Sequence, residues 1–218
     1  MTGLATGLTE KNKTAAVSEV TPETTLEKLL AYHCAPAFAG IKPANLASLD
    51  KARFPDFETA LKGLNAALNA KDIYLEKLCE CERRALILVY RKKVLEKQLS
   101  DPRCQAFLKT FGYAPENSLA ESLARLKTRL DGKAECFPHE IGVFLGYPLR
   151  DIYGFIHHRD SGCLLVGEWK VYHNAAGAKK CFGRYRSCRK ALVRHRACNV
   201  TGKPGNLQIY QTTRRFYK

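Results

Sequence analysis

His33 and Cys34 set an imidazole beside a thiol, the residue types of a base and a nucleophile. Neighbours on a helix point about 100° apart, so these two cannot serve each other. Both fall where a helix ends, and the negative dipole end favours imidazolium and opposes thiolate. Cys34 is therefore expected to be a slow, buried thiol unless a base from elsewhere touches it. His139 and Glu140 have the opposite setting, the first turn of a helix opened by Pro138. The positive dipole end there suits a carboxylate and a neutral imidazole, and a neutral imidazole can act as a base or a metal ligand. The plain alternative is that Glu140 caps the helix and His139 makes a buried hydrogen bond. The spelling His139-Glu140-Ile141-Gly142-Val143 lacks the second histidine of the H-E-x-x-H zinc motif. Cys136-x-x-His139 could form half of a Cys2His2 site with His33 and Cys34, but adjacent side chains diverge, and no metal is expected.

Further along, period two places Glu168, Lys170 and Tyr172 on one face of a strand and Trp169, Val171 and His173 on the other. Trp169 and Val171 then face the core. Lys170 and Tyr172 could bind an anion, or Lys170 could be a nucleophile if desolvated; the alternative is an ordinary polar sheet face. Asn45, Arg91 and Asp151 are polar residues without an assigned partner. The phosphate-loop patterns G-x-G-x-x-G and G-x-x-x-x-G-K and the nucleophile elbow G-x-S-x-G are all missing, which argues against nucleotide-dependent enzymes of the common folds.

The elements that carry these residues can be read from periodicity and caps. Thr24-x-x-Glu27 suggests a capping box for a helix with the stripe Leu26, Leu29, Leu30 and His33, stopped by Pro36. The stretch from Ile41 to Asp50 reads as a turn or short helix. Pro55 opens a helix with Phe57, Leu61, Leu64 and Leu68 on one face. Ile73–Glu82 and Ala85–Arg91 read as a hairpin, followed by helical patterns over Val94–Leu99, from Asp101-Pro102 to Gly112, and from the Ser118-x-x-Glu121 box to Gly132. Short helices start at Pro138 and Pro148. Cys163–His173 reads as one strand. Ala175–Asn199 reads as a long helix with the apolar line Ala178, Phe182, Tyr185, Cys188, Leu192 and His195. The resulting fold class is α+β, mostly helical with a small antiparallel sheet of about three strands. Residues 1–20 form a flexible arm, 21–200 a single domain and 201–218 a basic, loosely ordered tail.

Charge is unevenly distributed. The 218 residues hold 36 Lys and Arg against 21 Asp and Glu, a net of +15. Glu168 is the last acid; 13 basic residues follow it, leaving 23 basic against 21 acidic in the first 168 residues. Such a block attracts polyanions at low salt, with Arg186, Arg189 and Lys190 as nucleic-acid contacts if the long helix reads phosphates. Its aromatics Phe182 and Tyr185 lie on the apolar line and are not free to stack on bases. The nine cysteines form an odd set without a C-x-x-C pair, which suits a reducing compartment rather than a disulfide framework. The longest apolar run, Ala85–Tyr90, is too short for a membrane span, and no signal peptide is legible, so the expected location is the cytoplasm.

Three stretches together resemble a known family: His33-Cys34-Ala35-Pro36 with Ile41-Lys42-Pro43-Ala44-Asn45-Leu46; Phe137-Pro138-His139-Glu140-Ile141-Gly142-Val143-Phe144-Leu145-Gly146-Tyr147-Pro148; and Trp169-Lys170-Val171-Tyr172. The family is the uncharacterised bacterial domain of unknown function three-seven-nine-three, and the resemblance spans residues 22–200. It implies no activity, cofactor or partner. It singles out His33, Lys42, Asn45, His139, Lys170 and Tyr172 as candidate ligand-binding residues, and His139, Glu140, Cys34, Lys170 and Tyr172 as candidates for chemistry. The leading expectation is a pocket for a small, anionic molecule or a metal at the meeting of these motifs. The alternatives are a nucleic-acid-binding module on the basic helix and a structural or partner-binding accessory protein.

Overall fold

The computed structural model describes residues 25–197, apart from residue 55, residues 132–136, residue 160 and the side chains of residues 193–197. The flexible arm, Thr24, the basic tail, Cys136 and the side chain of His195 of the sequence reading lie outside the described residues.

The run Arg84–Arg91 (β3) sets the architecture. Its residues Ala85 to Tyr90 are all buried, as expected of a strand covered on both faces. It lies between Ala44–Asp50 (β1) and Ile73–Glu80 (β2), antiparallel to both. Period two then divides the core. Leu86, Leu88 and Tyr90 face one apolar layer, and Ala85, Ile87 and Val89 face another. The second layer is closed by Leu26–His33 (α1) and Phe57–Asn69 (α3), whose residues Leu30, Phe57 and Leu61 pack there. The first is closed by Lys92–Leu99 (α4), Pro102–Lys109 (α5), Leu119–Leu130 (α6), Ile141–Phe144 (α7) and Leu149–His158 (α8), which contribute Leu95, Phe107, Leu126, Phe144 and Ile152.

Local signals explain the helix starts. Thr25, not the expected Thr24, caps α1 by accepting from the Lys28 N–H, Asp101 caps α5, and Ser118 with Glu121 forms a reciprocal capping box on α6. Pro36 does not simply stop α1. Cys34 ends that helix and begins a second, Ala35–Phe38 (α2), which carries Pro36 in its first turn.

Three elements differ from the sequence reading. The helix expected from Pro138 begins only at Ile141, so His139 and Glu140 precede it instead of forming its first turn. Ile41–Asp50 is not a turn or helix: its part Ala44–Asp50 is β1. Ala, Asn, Ser and Asp are weak strand formers, and seven-residue pairing with β3, from Ala44 with Tyr90 to Asp50 with Arg84, overrides that weakness. Cys163–His173 is not one strand. It folds into two short strands, Leu165–Val166 (β4) and Lys170–Val171 (β5), paired across a turn at Gly167. A Cβ on Gly167 would lie 2.2 Å from the Phe182 ring, so the turn needs glycine for close approach.

The long helix Ala175–Ala197 (α9) adds a third apolar layer. Trp169 and Val171 face inward as their alternation predicts, and meet Ala178, Phe182 and Tyr185 of α9. Ile41 and Tyr147 pack against the same group. No helix among the described residues is long and apolar enough to cross a membrane.

Candidate functional site around Lys42

Lys42 lies in the connection between α2 and β1, where Pro43 disfavours a helical conformation for it. The Pro43 carbonyl accepts the Arg91 N–H at 3.0 Å, so the connection is anchored to the central strand. The side chain turns inward and the residue is only 3% exposed. Its Nζ stands 5.1 Å from the Tyr147 ring centre and 5.8 Å from that of Tyr185, within cation–π reach. No hydrogen bond joins this amine to another described residue.

The walls are placed by specific backbone features. Gly146 has φ of +70°, and a Cβ there would be 2.7 Å from the Pro43 ring, so only glycine lets Tyr147 approach Lys42 this closely. The Tyr147 hydroxyl donates to the Glu168 carbonyl at 3.2 Å and its ring lies 5.1 Å from that of Trp169. Tyr185 arrives one turn beyond Cys181 on α9. The Glu168 carboxylate receives both terminal nitrogens of Arg189, at 2.6 and 2.7 Å. Cys188 donates its thiol to the Ala35 carbonyl at 3.4 Å, tying α9 to α2. His33 and Cys34 complete the surroundings, both buried, and the His33 Nε2 has no hydrogen-bond partner among the described residues.

Burial dominates the electrostatics. It brings the Lys42 amine down to about 8; Arg189 pushes the same way and the Glu168 carboxylate opposes it. Burial, helped by Arg189, lowers His33 to about 4. This reverses the helix-end expectation, because desolvation beside a fixed guanidinium outweighs one dipole end that favours imidazolium. The Cys34 thiol is pushed up to about 12 by burial, against smaller pulls from Lys42 and Arg189. At neutral pH the group therefore holds a neutral imidazole, a neutral thiol, one carboxylate and two cations. Glu168 neutralises Arg189, which leaves the Lys42 charge in excess.

A match to a family model covers most of this chain. The model described as "Protein of unknown function (DUF3793)" matches residues 30–201. The chain belongs to this family. The matched stretch includes every residue of the Lys42 group. No curated protein and no solved structure matches the chain.

In this DUF3793 protein the other expected site residues have different surroundings. Glu140 neither caps a helix by a side-chain bond nor faces solvent. It is fully buried and receives the Arg129 guanidinium from α6, with the Tyr113 hydroxyl 3.4 Å away. A four-residue helix has little dipole to offer, and a full guanidinium charge wins. His139 stands edge-on to Phe155 at 5.2 Å, and burial lowers its pKa, with Glu140 opposing. Lys170 places its Nζ 5.4 Å from the centre of the same Phe155 ring. Tyr172 donates its hydroxyl to the Arg159 carbonyl, and its ring packs on Gly154. The two thus turn toward α8. Asp151 fastens β5 there by accepting from the Trp169 indole at 2.7 Å and the Tyr172 and His173 N–H groups at 2.8 and 3.1 Å.

Asn45 accepts the Ala37 N–H at 3.1 Å, while Arg91 donates to the Ala37 and Phe38 carbonyls, so these two hold α2 in place. Cys136, the suggested metal partner of His139, lies outside the described residues. Among the described residues no group of three or more His, Cys, Asp or Glu could hold a metal ion. On α9, Arg186 and Lys190 are exposed as expected, but Arg189 turns inward to Glu168. The sequence reading named Lys42 but not its walls. The available signal was Glu168, a lone carboxylate at the edge of a basic block, which must find a cation.

Proposed function

We propose that the protein is a cytoplasmic small-molecule-binding protein whose site is centred on Lys42 and takes a small anion. One observation carries this reading: the ammonium of a residue only 3% exposed, held over two aromatic rings, with no hydrogen bond or ion pair to another described residue. Charges removed from water are paired in nearly all folds, because an unpaired one costs several kcal/mol. An anion would supply the missing partner, and the orphan His33 Nε2 offers a neutral polar contact beside it. The motifs near His139 and Lys170 support the α7–α8 region on this reading and are not the binding groups.

The test is a titration of the full-length protein with oxalate and inorganic phosphate, followed by thermal melting. Binding raises the melting temperature with ligand concentration. Lys42→Met should lose that response while Lys170→Met keeps it. A response unaffected by Lys42→Met would refute the site.

A second reading has its own observation. Lys179, Lys180, Arg184, Arg186 and Lys190 form an exposed basic face on α9. That face is suited to nonspecific polyanion contact at low salt.

A further inference from the structure

We infer that the Lys42 amine is a nucleophile that forms an imine with a small aldehyde or ketone bearing a carboxylate. The inference rests on the anion-site reading and names the substrate class. Two features of the geometry support it. The amine is not committed to a carboxylate or a hydrogen bond within the described residues, so its lone pair is available once the proton leaves. Its neighbours are ring faces, which leave a flat, water-poor surround in which an imine resists hydrolysis.

The amine's pKa of about 8 agrees with this role, since roughly a tenth of it is neutral at pH 7 against far less for an exposed lysine. The carboxylate of the substrate would pair on binding with the Lys42 ammonium, the excess charge of the surroundings, before that amine gives up its proton. In the reaction the Lys42 nitrogen adds to the carbonyl carbon and a carbinolamine forms. Its hydroxyl leaves as water, taking up a proton, and the nitrogen gives up the protons it carried as a neutral amine. The products are one imine and one water, with no change of oxidation state. Because Lys42 is 3% exposed, the carbonyl compound reaches it when α9 moves, and the Glu168–Arg189 pair restrains that movement.

The experiment is reductive trapping on the full-length protein. Glyoxylate and cyanoborohydride are added at pH 7, and the modified lysines are identified by peptide mass. The hydride reduces the imine to a stable secondary amine on the lysine. The expected result is modification of Lys42 roughly tenfold or more faster than Lys179 and Lys180, in line with its larger neutral fraction. Trapping should quicken in Glu168→Gln, which loosens α9. Oxalate, which carries charge but no aldehyde, should slow it. Lys42→Arg should remove the product; should that variant misfold, the mapped wild-type site decides alone. Lys42 modified no faster than Lys179 and Lys180, or only in denaturant, overturns the inference. If oxalate still stabilises the native protein in that case, the anion site stands and only the imine falls. If glyoxylate labels Lys42 but oxalate neither stabilises nor competes, the imine stands and the anion reading falls.

Discussion

Glu168 grips Arg189 with both carboxylate oxygens, at 2.6 and 2.7 Å, and the two side chains are only 15% and 12% exposed. The pair joins the β4–β5 turn to the middle of α9 and stands between the basic block and the core. Removing one partner leaves a largely buried charge alone, which costs about 3 kcal/mol. Glu168→Gln should lower stability by that order in urea unfolding. It should also lower the Lys42 pKa below about 8, because Glu168 is the largest of the groups that raise it. Lysine side-chain NMR across pH would show the shift, and an unchanged Lys42 titration would contradict the proximity of the two.

Lys42→Met separates a ligand site from a structural keystone. Replacing a buried charge by an apolar chain of similar length is often neutral or stabilising. The expected result is stability at pH 7 unchanged or raised by about 1 kcal/mol, which for a domain of this size is a few degrees in melting temperature. A loss of several kcal/mol would assign Lys42 to packing α9 through Tyr147 and Tyr185.

His33 predicts a pH dependence on the acid side. It titrates near 4 in the folded protein against 6.5 ordinarily, so between those values the unfolded chain binds the extra proton. Stability is therefore full above about pH 6.5 and falls as pH drops toward 4, by on the order of 3 kcal/mol. His139 is also lowered and acts in the same direction. Asp50, Glu80, Asp101 and Glu121 are lowered carboxylates, so their contribution is lost as pH falls below their ordinary values of about 4. His33→Phe should flatten the slope of unfolding free energy between pH 4.5 and 6.5. An unchanged slope would mean that His33 is not desolvated.

The Arg129–Glu140 pair predicts an asymmetry. Glu140 is fully buried, whereas the Arg129 side chain is 26% exposed. Arg129→Met strands a buried carboxylate and should cost about 3–5 kcal/mol. Glu140→Gln keeps an acceptor for Tyr113 and leaves a partly hydrated guanidinium, so about 1–2 kcal/mol is expected. Equal losses in denaturant melts would show that the pair is more exposed than its geometry implies.

Basic residues on α9 should bind duplex DNA weakly. The expected affinity vanishes by roughly 0.15 M salt, where the Debye length is about 8 Å. Binding that survives there and is lost in Arg186→Ala with Lys190→Ala would favour the nucleic-acid reading. Arg189→Ala is a poor probe, since it breaks the pair with Glu168.

Much of the architecture is a local property and is legible in the chain. Proline and capping residues mark the starts of α5, α6 and α8. The stripe Leu26, Leu29, Leu30 and His33 names the inward face of α1, and Trp169 with Val171 names the inward side of the last hairpin, because side-chain direction follows from helix and strand periods alone. The hairpin β2–β3 follows from a β-rich run, and the family from three motifs. Other features were decided by contacts between distant segments. The weak strand former Ala44–Asp50 became β1 because β3 offered it a partner. Glu168, the last acid before the basic block, must find a cation, but nothing in the chain marks Arg189 as that cation. Lys42 read as one lysine in a proline turn, and His33 as a histidine at a favourable helix end. Their low pKa values come from burial, to which Tyr147 and Tyr185 contribute at Lys42, and from Arg189, which acts on both across the fold. Desolvation depends on what covers a group, and the Tyr147 and Tyr185 rings over Lys42 are more than a hundred positions away in the chain.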